Sequence, residues 1–216
     1  MKILSGFQPA DEGDILINNA VVDYTGPTAA IDQGIGMLQQ DPLDVGAFTV
    51  LENFIYGSVG DSKPEPDKVE GKFKDILDSV SQYVTNLPLK RKEAEATLTE
   101  LTNRFGFELD PHQPIDNLLI AQRQQLEIIR LLALGVQTLI LDEPTTGISA
   151  EQKVVLFDAL RKLARNEGMI VLLVSHKLED VIDLCDEVVV LRGGVLVGGM
   201  DMPETDENLT SEVIAH

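Results

Sequence analysis

Only one cysteine, Cys185, occurs in this chain of 216 residues. A lone thiol closes no internal bridge, which excludes a disulfide scaffold and points to a reducing compartment. Positive charge is scarce: 17 Lys and Arg stand against 36 Asp and Glu, a formal charge of −19. A chain this acidic is repelled by nucleic-acid backbones and anionic lipid surfaces, so no nucleic-acid partner is expected. Lys90-Arg91-Lys92 is the one dense basic run. Long apolar runs are missing as well. No stretch approaches the roughly 18 uninterrupted apolar residues of a membrane span. Residues 1–6 carry no long apolar core and no cleavage-site pattern, so no signal peptide is read there. The chain is expected in the cytosol, or at a membrane only through a partner. The balance that remains, 44% hydrophobic and 25% charged, is that of an ordinary globular protein rather than a disordered or collagen-like one.

Turn and periodicity signals divide the chain. Residues 1–4 read as the last turn of a helix, stopped by Gly6 and Pro9. A short strand at 14–18 turns through Asn18-Asn19 into 21–24. One or two helical turns at 27–33, a strand at 35–39 and a short helix around 50–56 follow, then a charged loop at 58–68. Phe73, Ile76, Leu77, Val80, Tyr83, Val84 and Leu87 keep a 3.6-residue period, and Pro88 is read as the end of that helix. Leu98, Leu101 and Phe105 mark a second amphipathic helix, and 118–134 a third. The apolar runs 138–141 and 170–174 read as strands. Between them Ser149 and Gln152 form a capping box that opens a helix stopped by Gly168. A short helix at 178–185, strands at 188–191 and 195–198 joined by Gly193-Gly194, and an acidic exposed tail at 201–208 complete the chain. Apolar strands without polar alternation, separated by helices, imply an α/β fold with a parallel sheet covered on both faces. Such sheets place ligands at the carboxyl ends of their strands.

Two polar pairs stand at those ends. Thr138-Leu-Ile-Leu-Asp142-Glu143-Pro144 closes one strand with adjacent carboxylates. An aspartate there can hold magnesium beside the phosphates of a nucleotide, and the next glutamate can polarise an attacking water. Val171-Leu-Leu-Val-Ser175-His176 closes the other strand with an imidazole able to contact a γ-phosphate. Upstream lies Leu118-Leu-Ile-Ala-Gln-Arg-Gln-Gln-Leu-Glu-Ile-Ile-Arg130, by itself only an amphipathic helix. Cys185, His112 and His216 lack partners at any ligand spacing and are read as structural or solvated.

The order Gln40, 118–130, Asp142-Glu143-Pro144, His176 and Leu191-Arg-Gly-Gly194 resembles the ATPase subunit of an ATP-binding cassette transporter, over nearly the whole chain. Ser5-Gly6 to Gly13, Gly34-Ile-Gly-Met-Leu-Gln-Gln40 and Thr49-Val-Leu-Glu-Asn53 look most like the branch that serves importers of simple sugars and nucleosides. The resemblance implies a P-loop NTPase core with an inserted helical subdomain. Its parts would be 1–40, partial nucleotide-binding core; 41–120, helical signature subdomain; 121–200, core with Walker B and switch histidine; and 201–216, acidic tail. It implies that Asp142 is the Walker B magnesium aspartate, Glu143 the catalytic base and His176 the switch histidine. Gln40 would touch magnesium and water and communicate with the permease. Implied ligands are ATP and Mg. Implied partners are transmembrane permease subunits, a second ATPase subunit and, indirectly, an extracytoplasmic substrate-binding protein. The implied location is the cytoplasmic face of the cell membrane, peripherally.

Three departures accompany the resemblance. No G-x-x-x-x-G-K-S/T run occurs, although that loop supplies the amides and lysine that cradle phosphates. In the family it lies just before a segment like residues 1–6, so the upstream reading frame is expected to encode it together with its strand, and the chain alone is expected to be inactive. The signature, close to Leu-Ser-Gly-Gly-Gln in the family, reads Leu118, Leu119, Ile120, Ala121 and Gln122 here, the segment that would face the partner's ATP. Leu119 has no hydroxyl for a γ-phosphate, and Ala121 narrows the backbone approach. The loop Gly147-Ile-Ser-Ala150 lacks the family's usual aspartate. Rival readings are a non-catalytic subunit docked on a permease and a soluble cassette ATPase outside transport.

Overall fold

The computed structural model describes residues 1–39, 44–58 and 88–202. Gln40, the helix read over 73–87, most of the charged loop, the tail beyond 202 and His216 lie outside the described residues.

The chain enters through one helical turn. The Gly6 amide donates to the Ile3 carbonyl at 3.0 Å and the Phe7 amide to the Lys2 carbonyl at 2.9 Å, with Gly6 at φ 74°. That is the paired closure of a helix C-terminus, and a side chain here would collide with the Gly26 carbonyl 2.4 Å away. Strands β1 (Ile15–Ile17) and β2 (Ala20–Val22) form an antiparallel hairpin across Asn18-Asn19, both at positive φ. Two left-handed central residues match the twist of the flanking strands. Helix α1 (Pro27–Asp32) starts on proline, whose missing N–H costs nothing in a first turn.

The central sheet is parallel, in the order β3-β4-β5: β3 (Ile35–Leu38), β4 (Thr138–Asp142) and β5 (Ile170–Val174). Register runs Ile35 with Thr138 and Thr138 with Ile170, so Asp142 lies opposite Val174. Leu139, Ile140 and Leu141 are fully buried, so both faces of β4 are covered. Strand β5 departs from the expected double cover: Ile170 is exposed and 171–174 are only half-buried. It lies at the sheet edge, where one long side has no neighbouring strand among the described residues.

Helix α2 (Val50–Ser58) is opened by Thr49, whose amide and hydroxyl both donate to Glu52 Oε2 at 2.9 Å. Helix α3 (Pro88–Phe105) begins at Pro88. A fixed φ and a missing N–H suit a first helical position; the helix read over 73–87, which this proline is expected to end, lies outside the described residues. Helix α4 (Ile120–Ala133) starts two residues later than expected, because Leu118 and Leu119 are extended. Helix α5 (Ala150–Glu167) is closed by Gly168 at φ 67° and opened by the expected box, with Gln152 N–H on Ser149 Oγ and Ser149 N–H on Gln152 Oε1. Helix α6 (Leu178–Leu184) leads to the antiparallel hairpin β6 (Glu187–Arg192) and β7 (Val195–Asp201), turned by Gly193-Gly194. One core spans these layers: Phe54 of α2, Leu98 of α3, Leu126 and Ile129 of α4, Leu139 and Leu141 of β4 and Leu160 of α5 pack together. No helix among the described residues is long and apolar enough to cross a membrane.

Candidate active site

Parallel pairing of β4 with β5 brings their carboxyl ends side by side. The ladder runs one step past the strands, as the Glu143 amide donates to the Val174 carbonyl at 2.9 Å. There the backbone turns, with Glu143 at φ 51°. A left-handed glutamate is uncommon, and residues held this way gather at functional sites. Its carboxylate is gripped from β5: Oε1 accepts from the His176 amide at 3.0 Å and lies 2.8 Å from His176 Nδ1. Contact at that distance with a carboxylate requires the proton on Nδ1. The other ring nitrogen, Nε2, is left for a ligand, on a side chain that is 75% exposed. Glu143 Oε2 is buried and has no hydrogen-bond partner among the described residues.

Asp142 is half-buried at the last position of β4. Asp142 offers hard carboxylate oxygens at the carboxyl end of β4, and such oxygens suit a magnesium ion, which takes one or two protein carboxylates and completes its shell with water and phosphate. The residues thus fit the metal implied by the resemblance. Among the described residues there is no cluster of three or more His, Cys, Asp or Glu able to enclose a metal.

Behind the pair lies a polar knot that the sequence reading missed. Thr145 and Asp180 are both buried, at 4% and 2% exposure. Asp180 accepts from the Thr145 hydroxyl through one oxygen and meets Lys153 Nζ at 2.6 Å through the other. Lys177 Nζ donates to the Thr145 carbonyl and hydroxyl, both at 3.1 Å. Burial pushes the Asp180 carboxyl up. Hydrogen bonds from Lys153 and Thr145, with the charges of Lys153 and Lys177, outweigh burial and hold it below its ordinary value. The available signal was Lys177 and Asp180, one and four residues after a histidine that follows an apolar strand.

The segment read as a signature splits between core and surface. Leu118 and Ala121 are buried, whereas Leu119 and Ile120 are 60% and 51% exposed. The Gln122 carboxamide is occupied locally, accepting from the Leu119 amide and donating to the Glu108 carbonyl, both at 3.0 Å. Ile120 Cδ1 stands 3.4 Å from where a side chain on Gly147 would begin, so the start of α4 adjoins the loop after β4. Along α4, Arg123 Nη1 meets Asp44 at 3.3 Å and Arg130 Nη1 meets Glu127 at 2.5 Å. Burial raises the Glu127 carboxyl, against the opposing charge of Arg130. Gln40, the remaining candidate, lies outside the described residues.

The ABC transporter family profile matches residues 1–146. The ribose import ATP-binding protein RbsA of Rhodopirellula baltica is 33% identical over 204 residues, covering 94% of this chain and 35% of that protein. The glucose import ATP-binding protein TsgD13 of Haloferax volcanii is 35% identical over 203 residues, 92% of this chain and 37% of that protein. The nucleoside import ATP-binding protein NupA of Lactococcus lactis is 27% identical, covering 99% of this chain and 38% of that protein. The chain therefore spans little more than a third of the length of the curated relatives it matches. An ATP-binding cassette of an ABC transporter in its ADP conformation superposes at TM-score 0.74 and 20% identity, over all of this chain and 82% of that one. A nucleotide-free cassette superposes at 0.70 and 20% identity, over 99% of this chain and 78% of that one. The architecture is that of an ATP-binding cassette.

Proposed function

This chain belongs to the ABC transporter family, and we propose that it is part of an ATP-hydrolysing subunit that drives a membrane importer for a sugar or a nucleoside. The observation that carries the reading is the Glu143–His176 pair, held at 2.8 Å beside Asp142 at the ends of two adjacent parallel strands. The names of the relatives support the importer branch. On this reading the partners are permease subunits, a second ATPase subunit and, indirectly, an extracytoplasmic substrate-binding protein, and the chain sits peripherally on the cytoplasmic face of the membrane. The four parts bounded at residues 40, 120 and 200 are proposed to be the core, the helical signature subdomain, the returning core and the tail.

Asp142 and Gln40 would hold magnesium, and the ion would supply positive charge beside the phosphates. Glu143 takes the proton of the attacking water, while its Oε1 stays anchored on the His176 amide. His176 presents Nε2 to the γ-phosphate. The work is positioning and electrostatics. Leu118, Leu119, Ile120, Ala121 and Gln122 face the ATP of the second subunit. Here only Leu119 and Ile120 offer exposed side chains, both apolar.

A second reading, a non-hydrolysing subunit that pairs with an active one, draws on those two exposed apolar side chains. Calorimetry with Mg-ATP tests the proposal. Residues 1–216 alone should show no micromolar affinity, because phosphate hydrogen bonds of about 1.5–3 kcal/mol each are absent. The same chain preceded by a strand and a G-x-x-x-x-G-K-S/T loop should bind and hydrolyse. Binding without hydrolysis in the extended chain, given an active partner, favours the second reading; micromolar binding by residues 1–216 alone overturns the account of the phosphate loop.

A further inference from the structure

We infer that Thr145, Lys153, Lys177 and Asp180 form a positioning network that sets where Glu143 stands relative to His176. The inference rests on reading those two residues as the reacting pair and adds to it the groups that hold their loops.

The network ties three elements at one buried carboxylate. Thr145 lies in the loop after β4, two residues beyond Glu143. Lys177 directly follows His176, and Asp180 lies in the first turn of α6. Lys153 comes from the first turns of α5, just beyond the Ser149 cap. Asp180 takes the Thr145 hydroxyl on Oδ2 and the Lys153 ammonium on Oδ1 at 2.6 Å, so both oxygens are engaged. Lys177 crosses back at 3.1 Å to the Thr145 carbonyl, fixing the backbone of the loop that carries Glu143. The loops after β4 and β5 are therefore joined twice, through Glu143 with His176 at the open end and through Thr145 with Lys177 and Asp180 behind it.

The two junctions differ in what can move. Glu143 is 21% and His176 75% exposed, whereas Asp180 and Thr145 are sealed from solvent. A buried carboxylate with a lysine and a hydroxyl on its two oxygens is stiff, because releasing either partner leaves a desolvated charge. The rear junction is the fixed frame and the front pair is the adjustable one. Lys153 brings α5 into that frame, and α5 opens from the loop 146–149, beside which Ile120 of α4 stands. Displacing that loop acts on Glu143 through Thr145 and on His176 through Asp180.

The His176 amide, bonded to Glu143 Oε1, reports the separation of the front pair directly. The test is amide hydrogen exchange by NMR on the full chain, comparing the unchanged protein with Asp180→Asn and with the near-isosteric Thr145→Val. Exchange at His176 should accelerate about tenfold in each variant, while amides of Leu139, Ile140 and Leu141 keep their rates. The His176 ring resonances should shift and those of His112 should not. The double variant should accelerate exchange by less than the product of the two single effects, since both act on one network. The inference is overturned if His176 exchange is unchanged in both variants, or rises only in step with β4 through general loss of stability. Should Asp180→Asn fail to fold, Thr145→Val alone decides by the same criteria. In the assembled transporter, kcat for ATP should fall about tenfold with KM within about twofold. Absence of hydrolysis in the unchanged transporter would count against the proposed function, and the exchange data would still decide the network.

Discussion

At residue scale Glu143 holds one carboxylate with two unlike oxygens, one anchored to His176 and one buried without a partner. Glutamine in its place keeps an Oε1 acceptor for the anchor but removes the charge proposed to polarise water. In a chain extended by the phosphate loop, Glu143→Gln should lower turnover by about 10²–10⁴, the ordinary worth of a general base, with nucleotide affinity unchanged. Steady-state hydrolysis and calorimetry on one preparation check it, and equal losses in both would make Glu143 a binding residue instead. Asp142, Glu143 and His176 were legible because a polar pair that ends a wholly apolar run has few structural uses. Thr145, Lys153, Lys177 and Asp180 were not, since their bonds join residues 27 to 35 positions apart and no period or short motif marks them. The inward turn of Ala121 could have been read from its helical spacing with Gln125 and Ile128, all three of which are buried.

At the scale of elements the caps carried most of what the sequence disclosed: Asn18-Asn19, Ser149 with Gln152, Gly168 and Gly193-Gly194 all sit where their turn chemistry demands. Pro88 opens a helix, because a missing N–H serves a helix start as well as a stop. Helix α4 has a faulty cap. Its N-cap residue is Leu119, which offers no oxygen to the first-turn amides, while Gln122 supplies only the return half of the box. Leu119→Ser should therefore stabilise the protein by about 1 kcal/mol, the typical worth of an N-cap hydroxyl, since little apolar burial is lost from so exposed a side chain. Urea unfolding measures this, and a midpoint equal to or below that of the unchanged chain would refute it. With Ala121→Gly added in the extended chain, the same change should raise homodimer turnover if the apolar signature impairs the partner's nucleotide. The tie between α5 and α6 has its own signature in pH. The Asp180 carboxyl is lowered from 3.8 and the Lys153 ammonium is raised from 10.5, through their mutual hydrogen bond and charge. Stability from the lowered acid is present above its unfolded value and lost as pH falls through the folded one. Stability from the raised base is present below its unfolded value and lost as pH rises through the folded one. The melting point should thus separate Asp180→Asn from the unchanged protein between about pH 4 and pH 10 and bring them together below that window. A difference that persists undiminished at lower pH would show that the charge is not what matters.

For the molecule as a whole, charge and open strand edges act against each other. Strand β5 ends the central sheet with one long side free of partners among the described residues, and Ile170 on it is exposed. The hairpin β6-β7 shows Val189, Leu191, Val195 and Leu196 to solvent, and β1-β2 shows Leu16 and Val21. Exposed apolar strand surfaces template pairing between chains. The formal charge of −19 opposes that approach, because two copies repel over the range of the screening length. That length falls from roughly 10 Å at 0.1 M salt to about 3 Å at 1 M, below the distance at which strand surfaces meet. Copies that stay apart in dilute buffer should therefore self-associate as sodium chloride is raised towards 1 M, seen as a growing mass in multi-angle light scattering. Ile170→Lys and Leu191→Lys, which put a charge on the two strand surfaces, should each suppress the effect, and together should abolish it. A mass that stays monomeric across the salt series would show that these surfaces do not pair. Association that survives both lysines would place the contact elsewhere, with the hairpin carrying Leu16 and Val21 the next surface to change.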